Sequence, residues 1–316
     1  MQVMKRSVPP RIEILLGTFN SERYLEAQLE SILTQTVTDF RLLIRDGGSE
    51  DRTREIIDRY RSAHPDRIVF LETGSAKACE NFSRLTEASE AELVMYADHD
   101  DVWHPEKLAM TERCYREAEK RYGKSCPILV FTDRIVTDSQ LNKLSDSSFQ
   151  FQKLDPEKTE FRRLLLQNIP VGNTMLVNRA LLERARPIPY DAVMHDHWLA
   201  LVAAAFGRIV YLPEPTLLYR QHEKNVFGAR RVSPGYFLNL LIRGRRLVRE
   251  RLSADFHQAE MFLERYGDEL SARERDTLQA CARIPEAGFF RKRYLLLRYG
   301  IGKQGMLRTL GLFLLV

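Results

Sequence analysis

Three carboxylates close an apolar run in Glu92-Leu-Val-Met-Tyr-Ala-Asp98-His-Asp-Asp-Val-Trp103. Carboxylates gathered at the end of a buried strand suit a hard cation, commonly Mg²⁺ or Mn²⁺, whose usual companion is a phosphate. In an extended chain alternate side chains share a side, so Asp98 and Asp100 are expected to project together and Asp101 elsewhere. The plain alternative is a solvated strand-to-helix turn, with Asp101 or His104 near a helix start.

The elements that must position these groups are legible as periodicity. Residues 11–17 form an apolar run, and Leu25, Leu29, Ile32 and Leu33 follow at helical spacing within 21–35. The pattern repeats as strand 40–45 and helix 51–61, strand 67–72 and helix 78–89, strand 92–97 and helix 105–121. Four strand-helix units in series predict a mainly parallel sheet with helices on both faces. Ligands of such sheets bind outside the carboxyl ends of the strands. Thr18-Phe-Asn20, Asp46-Gly-Gly48 and Asp98-His-Asp100 all fall there. A strand at 127–133, a polar excursion at 138–156, a helix at 157–168 and a strand at 173–178 are expected next. An apolar helix from His195 to Phe206, strands at 208–212 and 216–220, and a helical region from Pro234 complete the reading.

The chain has 316 residues, 44% of them hydrophobic and 29% charged, which suits one large domain with an appendage or two ordinary domains. Its cysteines, at 79, 114, 126 and 281, are too far apart for a zinc knuckle or redox dithiol, which fits free thiols in a reducing cytosol. Met1 to Pro10 contain no secretory apolar core, and no run of 18 apolar residues predicts a spanning helix. The net charge of +5 is unevenly placed. From Gly235 onward there are 15 Lys and Arg against 9 Asp and Glu, so the basic excess is C-terminal.

Taken together, the motifs resemble those of bacterial family-2 glycosyltransferases with the GT-A fold, in a rhamnosyltransferase-like branch. The resemblance is carried by Thr18-Phe-Asn-Ser-Glu22 with Tyr24-Leu25, Gln35-Thr36, Asp46-Gly-Gly-Ser49 with Asp51, and Asn81-Phe82. Asp98-His-Asp-Asp-Val-Trp103 with Pro105 and Lys107, His195-Asp196, and Tyr219-Arg-Gln-His222 with Asn225 continue it in order over about residues 11–228. It implies an α/β GT-A catalytic domain over 1–233, with nucleotide-sugar binding at 11–133 and the acceptor side at 134–233. A helical basic extension occupies 234–316.

The activity implied is transfer of one sugar, with inversion, from a nucleotide-diphosphate sugar such as dTDP-rhamnose to a hydroxyl, with Mn²⁺ or Mg²⁺ as cofactor. Asp100 is then the principal metal ligand, Asp98 its partner or a ribose contact, and His222 a further ligand whose alternative is a buried structural histidine. Asp196 is the candidate base that takes the acceptor proton, its alternative being a helix cap. A metal site at His195-Asp-His197 ranks lower, for want of a third ligand nearby. The resemblance places Thr18, Asn20, Glu22 and Asp46 against the nucleotide base and ribose. Local chemistry also allows Asn20 to cap a helix and Asp46 to shape a tight turn. Arg220 is a candidate diphosphate contact or a surface ion pair, and Asp101 a contact of donor sugar or acceptor. Trp103 and Trp198 could stack on a sugar or pack in the core. The family often has a second Asp where this chain has Gly47, which bears on base selectivity.

Residues 287–316 combine six basic residues and no acid with Phe289, Phe290, Leu295 to Leu297 and the terminal Leu312 to Val316. Such a segment reads as an in-plane anchor on an anionic membrane, where each Lys or Arg contributes about 1 kcal/mol. A helix packed on the catalytic domain is the alternative. Nucleic acid is not an expected partner, since the arginines alternate with aliphatics and no RNA-binding signature is present. The expectation is a cytoplasmic enzyme at the inner face of the cell membrane, meeting lipid-linked cell-surface glycans. Absence of the processive Gln-x-x-Arg-Trp motif argues for single-sugar transfer. Two rivals stand beside it. A nucleotidyltransferase would need a Gly-rich loop after the first strand, which Gly17-Thr-Phe-Asn20 lacks; a catalytically silent membrane-surface adaptor would have lost the base or metal residues.

Overall fold

The first apolar run becomes a strand buried along its whole length, β1 (Ile12–Thr18), because helices cover both faces of the sheet. The computed structural model of the protein describes residues 10–71, 74–223 and 245–316. After β1 come α1 (Leu25–Leu33), β2 (Phe40–Asp46), α2 (Thr53–Ala63), β3 (Ile68–Phe70), α3 (Ala78–Ala88) and β4 (Leu93–Asp98). The acidic turn then leads into a short β5 (Val102–Trp103), followed by α4 (Lys107–Tyr122) and β6 (Ile128–Thr137). The polar excursion holds β7 (Lys143–Ser145) and α5 (Ser148–Gln152), and α6 is a single turn (Phe161–Leu164). A 3-10 turn (Gly172–Thr174), β8 (Met175–Asn178), α7 (Arg179–Ala185), α8 (His195–Phe206) and β9 (Arg208–Arg220) complete the catalytic part. The C-terminal helices are α9 (Arg245–Tyr266), α10 (Ala272–Ala282), α11 (Phe289–Tyr299) and α12 (Met306–Leu315).

The strands form one sheet in the order β3-β2-β1-β4-β8-β6-β9-β5, with β7 on β6. Pairs β1/β2, β1/β4, β2/β3 and β6/β9 are parallel. β8 runs against both neighbours, and β5 and β7 against theirs, so the mainly parallel sheet expected is mixed beyond β4. Three other expectations are corrected. The helix expected over 157–168 shrinks to α6, α7 was not foreseen, and the two strands expected at 208–220 are one. Pro213 and Pro215 lie within β9, where register shifts at Thr132–Ile135 of β6 accommodate them.

Alternate residues of the central strands feed two apolar clusters. Ile14, Leu16, Leu42, Ile44 and Met95 join α1, α2 and α4 on one face. Leu15, Leu43, Val94, Tyr96 and Phe131 join α3, α7 and α8 on the other. The second cluster runs on without a break into Phe256 and Phe262 of α9, Leu278 of α10, Leu296 of α11 and Leu312 of α12. The extension therefore shares the catalytic core, and the boundary placed at 233/234 lies outside the described residues. Trp103 and Trp198 are buried, 2% and 0% exposed, and Trp198 Nε1 donates to the Ala185 carbonyl, so both pack in the core. The four cysteines are free, and no described helix is long and apolar enough to cross a membrane.

Candidate active site

Register brings three strand ends side by side: Thr18 of β1 lies opposite Asp46 of β2, and Gly17 opposite Asp98 of β4. The loops that leave β1 and β2 are locked to each other. Thr18 Oγ1 donates to Asp46 Oδ1 at 2.9 Å, the Asn20 amide to Ser49 Oγ, and the Glu50 amide to Asn20 Oδ1. Glu22 accepts from the Arg52 amide, and its own amide donates to Asp51. Asn20 is no helix cap: it holds a left-handed φ of 47°, which asparagine tolerates, and clamps the neighbouring loop. Gly48, at φ 98°, allows the tight turn in which Asp46 accepts from the amides of Gly48 and Ser49 and from Arg54. Burial works against the ionised Asp46, but the hydrogen bonds from Ser49 outweigh it and hold its carboxyl below the usual range. That carboxylate is wholly buried, whereas Asn20 and Glu22, on the loop it helps to shape, are exposed.

The acidic turn is more compact than strand alternation allows. One carboxylate oxygen from each of Asp98, Asp100 and Asp101 lies within 4.8 Å of the others. Regular β4 ends at Asp98, and the turn through His99 and Asp100 swings Asp101 back, which corrects the expectation that Asp101 points elsewhere. Asp101 is fully buried; Oδ2 accepts from Asn173 Nδ2 at 2.6 Å, and Oδ1 has no partner among the described residues. Burial, aided by its two neighbours' charges, pushes Asp101 well above the ordinary carboxylate range. Asp98 rises to about 7 through burial and the charges of Asp100 and Asp196. Asp100 is buried too, yet the hydrogen bond from His222 and the nearby His99 bring it below its ordinary value.

His222 Nε2 lies 2.8 Å from Asp100 Oδ2 and its ring stacks on Tyr24 with centroids 5.0 Å apart. Arg220 is buried, not a surface ion pair. Its Nε donates to the Asp100 carbonyl at 2.9 Å, one terminal nitrogen to Ser139, and its guanidinium lies over Tyr24. It fixes the backbone of the acidic turn.

Asp196 stands in the first turn of α8, after an N-cap, Met194, that makes no side-chain cap bond. Oδ2 accepts from the Gly172 amide at 2.9 Å and Oδ1 from the His197 amide. Burial lifts its carboxyl to about 6, with the two amides and Arg134 working the other way. Its histidine neighbours diverge. His197 donates to the Leu164 carbonyl inside the core, whereas the buried His195 stacks on Phe82 and tilts against Tyr96, with neither ring nitrogen partnered among the described residues. Burial holds both neutral, His195 down to about 3 and His197 to about 4, and they build no joint metal site.

Sequence reading assigned no role to the residues that tie these parts together. Gly172 holds Asp196 through its amide, while the adjacent Asn173 holds Asp101 through its side chain. A Cβ at 172 would sit 2.9 Å from His195 Nε2, so only glycine fits without displacing that ring. Lys107, wholly buried, donates to the Asn173 carbonyl and to Thr216 Oγ1, both at 3.0 Å. Burial lowers its ammonium to about 7 against the pull of Asp101. Arg134 reaches Asn173 Oδ1 and is the positive charge facing Asp98, Asp101 and Asp196. Gln35 clamps the start of α4 by donating to the His104 carbonyl and accepting from the Leu108 amide. Only the family motif, which includes Lys107, gave a signal; Gly172, Asn173 and Arg134 gave none.

Comparison with known proteins fits this geometry. The sequence model described as Glycosyl transferase family 2 matches residues 13–185. An uncharacterized glycosyltransferase of Nostoc sp., alr2836, is 26% identical over 224 residues, spanning 68% of this chain and 66% of that protein. The dTDP-rhamnosyl transferase RfbG of Shigella flexneri is 26% identical over 223 residues, spanning 68% of this chain and 74% of that protein. Among solved structures, a 1–349 piece of Staphylococcus aureus TarS superposes with a TM-score of 0.53 at 18% identity, covering 89% of this chain and 82% of that one. The mannosyltransferase PcManGT of Pyrobaculum calidifontis gives 0.54 at 18% identity, covering 98% and 79%. With more than half its length matched by the family and its sheet carrying the GT-A arrangement, the chain belongs to glycosyl transferase family 2 and is a glycosyltransferase.

Proposed function

We propose that this glycosyltransferase moves one sugar, with inversion and with the help of a divalent cation, from a nucleoside diphosphate to a hydroxyl of a lipid-linked glycan. The observation that carries the reading is the turn at Gly172-Asn173, which holds a raised-pKa carboxylate on one residue and the acidic cluster on the next. The cluster suits a hard cation: three carboxylates converge, and Asp101 keeps a buried oxygen that no group among the described residues satisfies. Asp98, Asp100 and Asp101 would hold the ion, with His222 adjoining through Asp100. A cation bound there neutralises charge growing on the departing diphosphate.

The chain's own groups do the rest. Asp196 accepts the acceptor's hydroxyl proton as that oxygen bonds to the anomeric carbon and the bond to the diphosphate oxygen breaks on the opposite face. A carboxyl near 6 is ionised at neutral pH yet basic enough to take the proton. Thr18 and Asp46 brace the loops on which Asn20 and Glu22 would meet base and ribose. Arg220 would act on the diphosphate through the Asp100 backbone it fixes.

The donor reading of dTDP-rhamnose rests on RfbG, while TarS has been solved with UDP-GlcNAc and PcManGT with GDP-Man and Mn²⁺. Family membership sets aside the nucleotidyltransferase reading, and the presence of Asp196 and the acidic cluster argues against a silent adaptor. A screen of nucleotide sugars for Mn²⁺-dependent thermal stabilisation and slow hydrolysis tests the proposal. dTDP-rhamnose should stand out, and Asp100→Ala should abolish the effect of the cation. Equal hydrolysis with and without cation, or with Asp100→Ala, would overturn metal dependence.

A further inference from the structure

We infer that α11 and α12 form a docking face for an anionic membrane surface. Both helices are apolar on two sides, and packing on the protein satisfies one side only. Leu296 of α11 and Leu312 and Leu315 of α12 face the core. On α11, Phe290, Tyr294 and Leu297 recur at helical spacing on the outside and are 83%, 61% and 71% exposed. On α12, Met306, Leu310 and Leu314 do the same at 84%, 49% and 52%. Arg293 bolts the helices together by donating to the Phe313 carbonyl while its guanidinium lies 3.5 Å over the Phe289 ring. Exposed apolar side chains gathered in this way mark a surface that meets something apolar.

Charge identifies the occupant. The segment from Ala287 to Val316 has no acidic residue. Arg291 and Arg298 are exposed on α11, and Lys292 is half-buried. Lys153, Lys158, Arg163 and Lys303 line a groove that Met306 also lines, at the N-terminus of α12. Asp155, paired with Lys158, is the one acid among the groove's lining, while Arg163 pairs with Glu160 and Lys303 faces Asp255 outside it, so the exposed cations of α11 carry most of the charge argument. Aromatic and aliphatic side chains rimmed by cations fit a phosphate-bearing lipid surface, with apolar groups in the acyl boundary and cations at the headgroups. A protein partner would more commonly meet a face with both signs of charge. No catalytic or candidate metal-binding residue lies on these helices, so the inference stands independently of the donor and cation readings.

Sedimentation of the full chain with vesicles tests it, comparing phosphatidylcholine alone with a mixture containing about one third phosphatidylglycerol. The chain should pellet with the anionic vesicles, stay in solution with the neutral ones, and be released by high salt. The triple variants Phe290→Glu/Leu297→Glu/Met306→Glu and Arg291→Glu/Lys292→Glu/Arg298→Glu should each weaken binding at least tenfold, roughly the loss of several surface contacts. Their melting temperatures should stay near the parent's, since the altered side chains lie outside the core. A parent chain that ignores anionic vesicles overturns the inference, as does binding that survives both variants. Self-association abolished by the apolar variant, with no vesicle binding, would instead assign the face to a second copy of the chain.

Discussion

Asp196 and Asp101 are both buried carboxylates with raised pKa values, yet their surroundings give them different work. Asp196 is held by two amides at the start of a helix, which keeps it ionisable near neutrality. Asp196→Asn preserves that shape and removes the basic oxygen, so turnover should fall by roughly 10²- to 10⁴-fold with little change in folding. The parent's rate should decline below about pH 6, as the carboxylate takes up its proton. A rate within a few-fold of the parent, or an acid limb unchanged in a variant with residual activity, would remove Asp196 from the role. Asp101 is raised first by its burial and then by the like charges of Asp100 and Asp98. Because its folded pKa lies above its unfolded value, its stabilising contribution is complete at low pH and lost as pH rises. Asp101→Asn should therefore raise the melting temperature of the cation-free protein at pH 8 while weakening cation-dependent transfer. A variant less stable than the parent at that pH would show that the Asn173 bond outweighs the repulsion. Asp98 to Asp101 was legible in sequence as residue types, but the direction of Asp101 was not, since strand alternation stops where β4 stops.

At the scale of elements, the 3-10 turn between α6 and β8 is the joint of the site. Gly172→Ala would drive a methyl group toward His195, which is clasped by Phe82 and Tyr96 and cannot move away without cost. The expected penalty is about 1–3 kcal/mol in stability, measured by denaturant unfolding, together with a lower turnover number as Asp196 loses its amide partner. A variant with unchanged turnover would mean that α8 alone positions the base. The parallel strands β1 to β4 and the helices between them were legible because each is a continuous apolar or helical-period run flanked by polar ends. The 3-10 turn was not, for Val171-Gly-Asn-Thr174 has no period of its own and gains meaning only when β8 is threaded between β4 and β6. Lys107, Arg134 and Asn173 meet through that threading, although they are far apart in the chain. The single turn of α6 and the unbroken β9 were misread for a related reason: tertiary packing and register shifts overrode local propensity.

Across the whole molecule, the acidic site is a source of instability that a cation can relieve. Asp98 is raised to about 7 and Asp101 also lies high, both chiefly through burial, whereas unfolded aspartates ionise near the ordinary value of 3.8. Asp255, buried between the C-terminal helices and facing Lys303, is raised to about 7 by the same cause. For groups raised in this way the folded state binds more protons than the unfolded one, so stability is full below the unfolded pKa and drains away as pH rises through the folded values. The lowered carboxylates, such as Asp46 and Asp51, act in the opposite direction mainly below the ordinary carboxylate range, and His195, His197 and Lys107, whose charge burial disfavours, act in that opposite direction between their lowered and ordinary values. Between pH 5.5 and 8, then, the raised carboxylates take stability from the cation-free protein, and the share due to the cluster is the difference between the parent and Asp98→Asn/Asp101→Asn. Mn²⁺ held by the ionised cluster, as proposed, would restore what its repulsion removed, but would leave Asp255 untouched. The melting-temperature gain on adding saturating Mn²⁺ should therefore be larger at pH 8 than at pH 5.5, while part of the fall with pH persists in its presence. Asp98→Asn/Asp101→Asn should abolish most of the gain and leave the Asp255 component. Equal gains at the two pH values would mean that the cluster does not bind the ion as carboxylates, and with that result the metal-dependent reading of the site would fall.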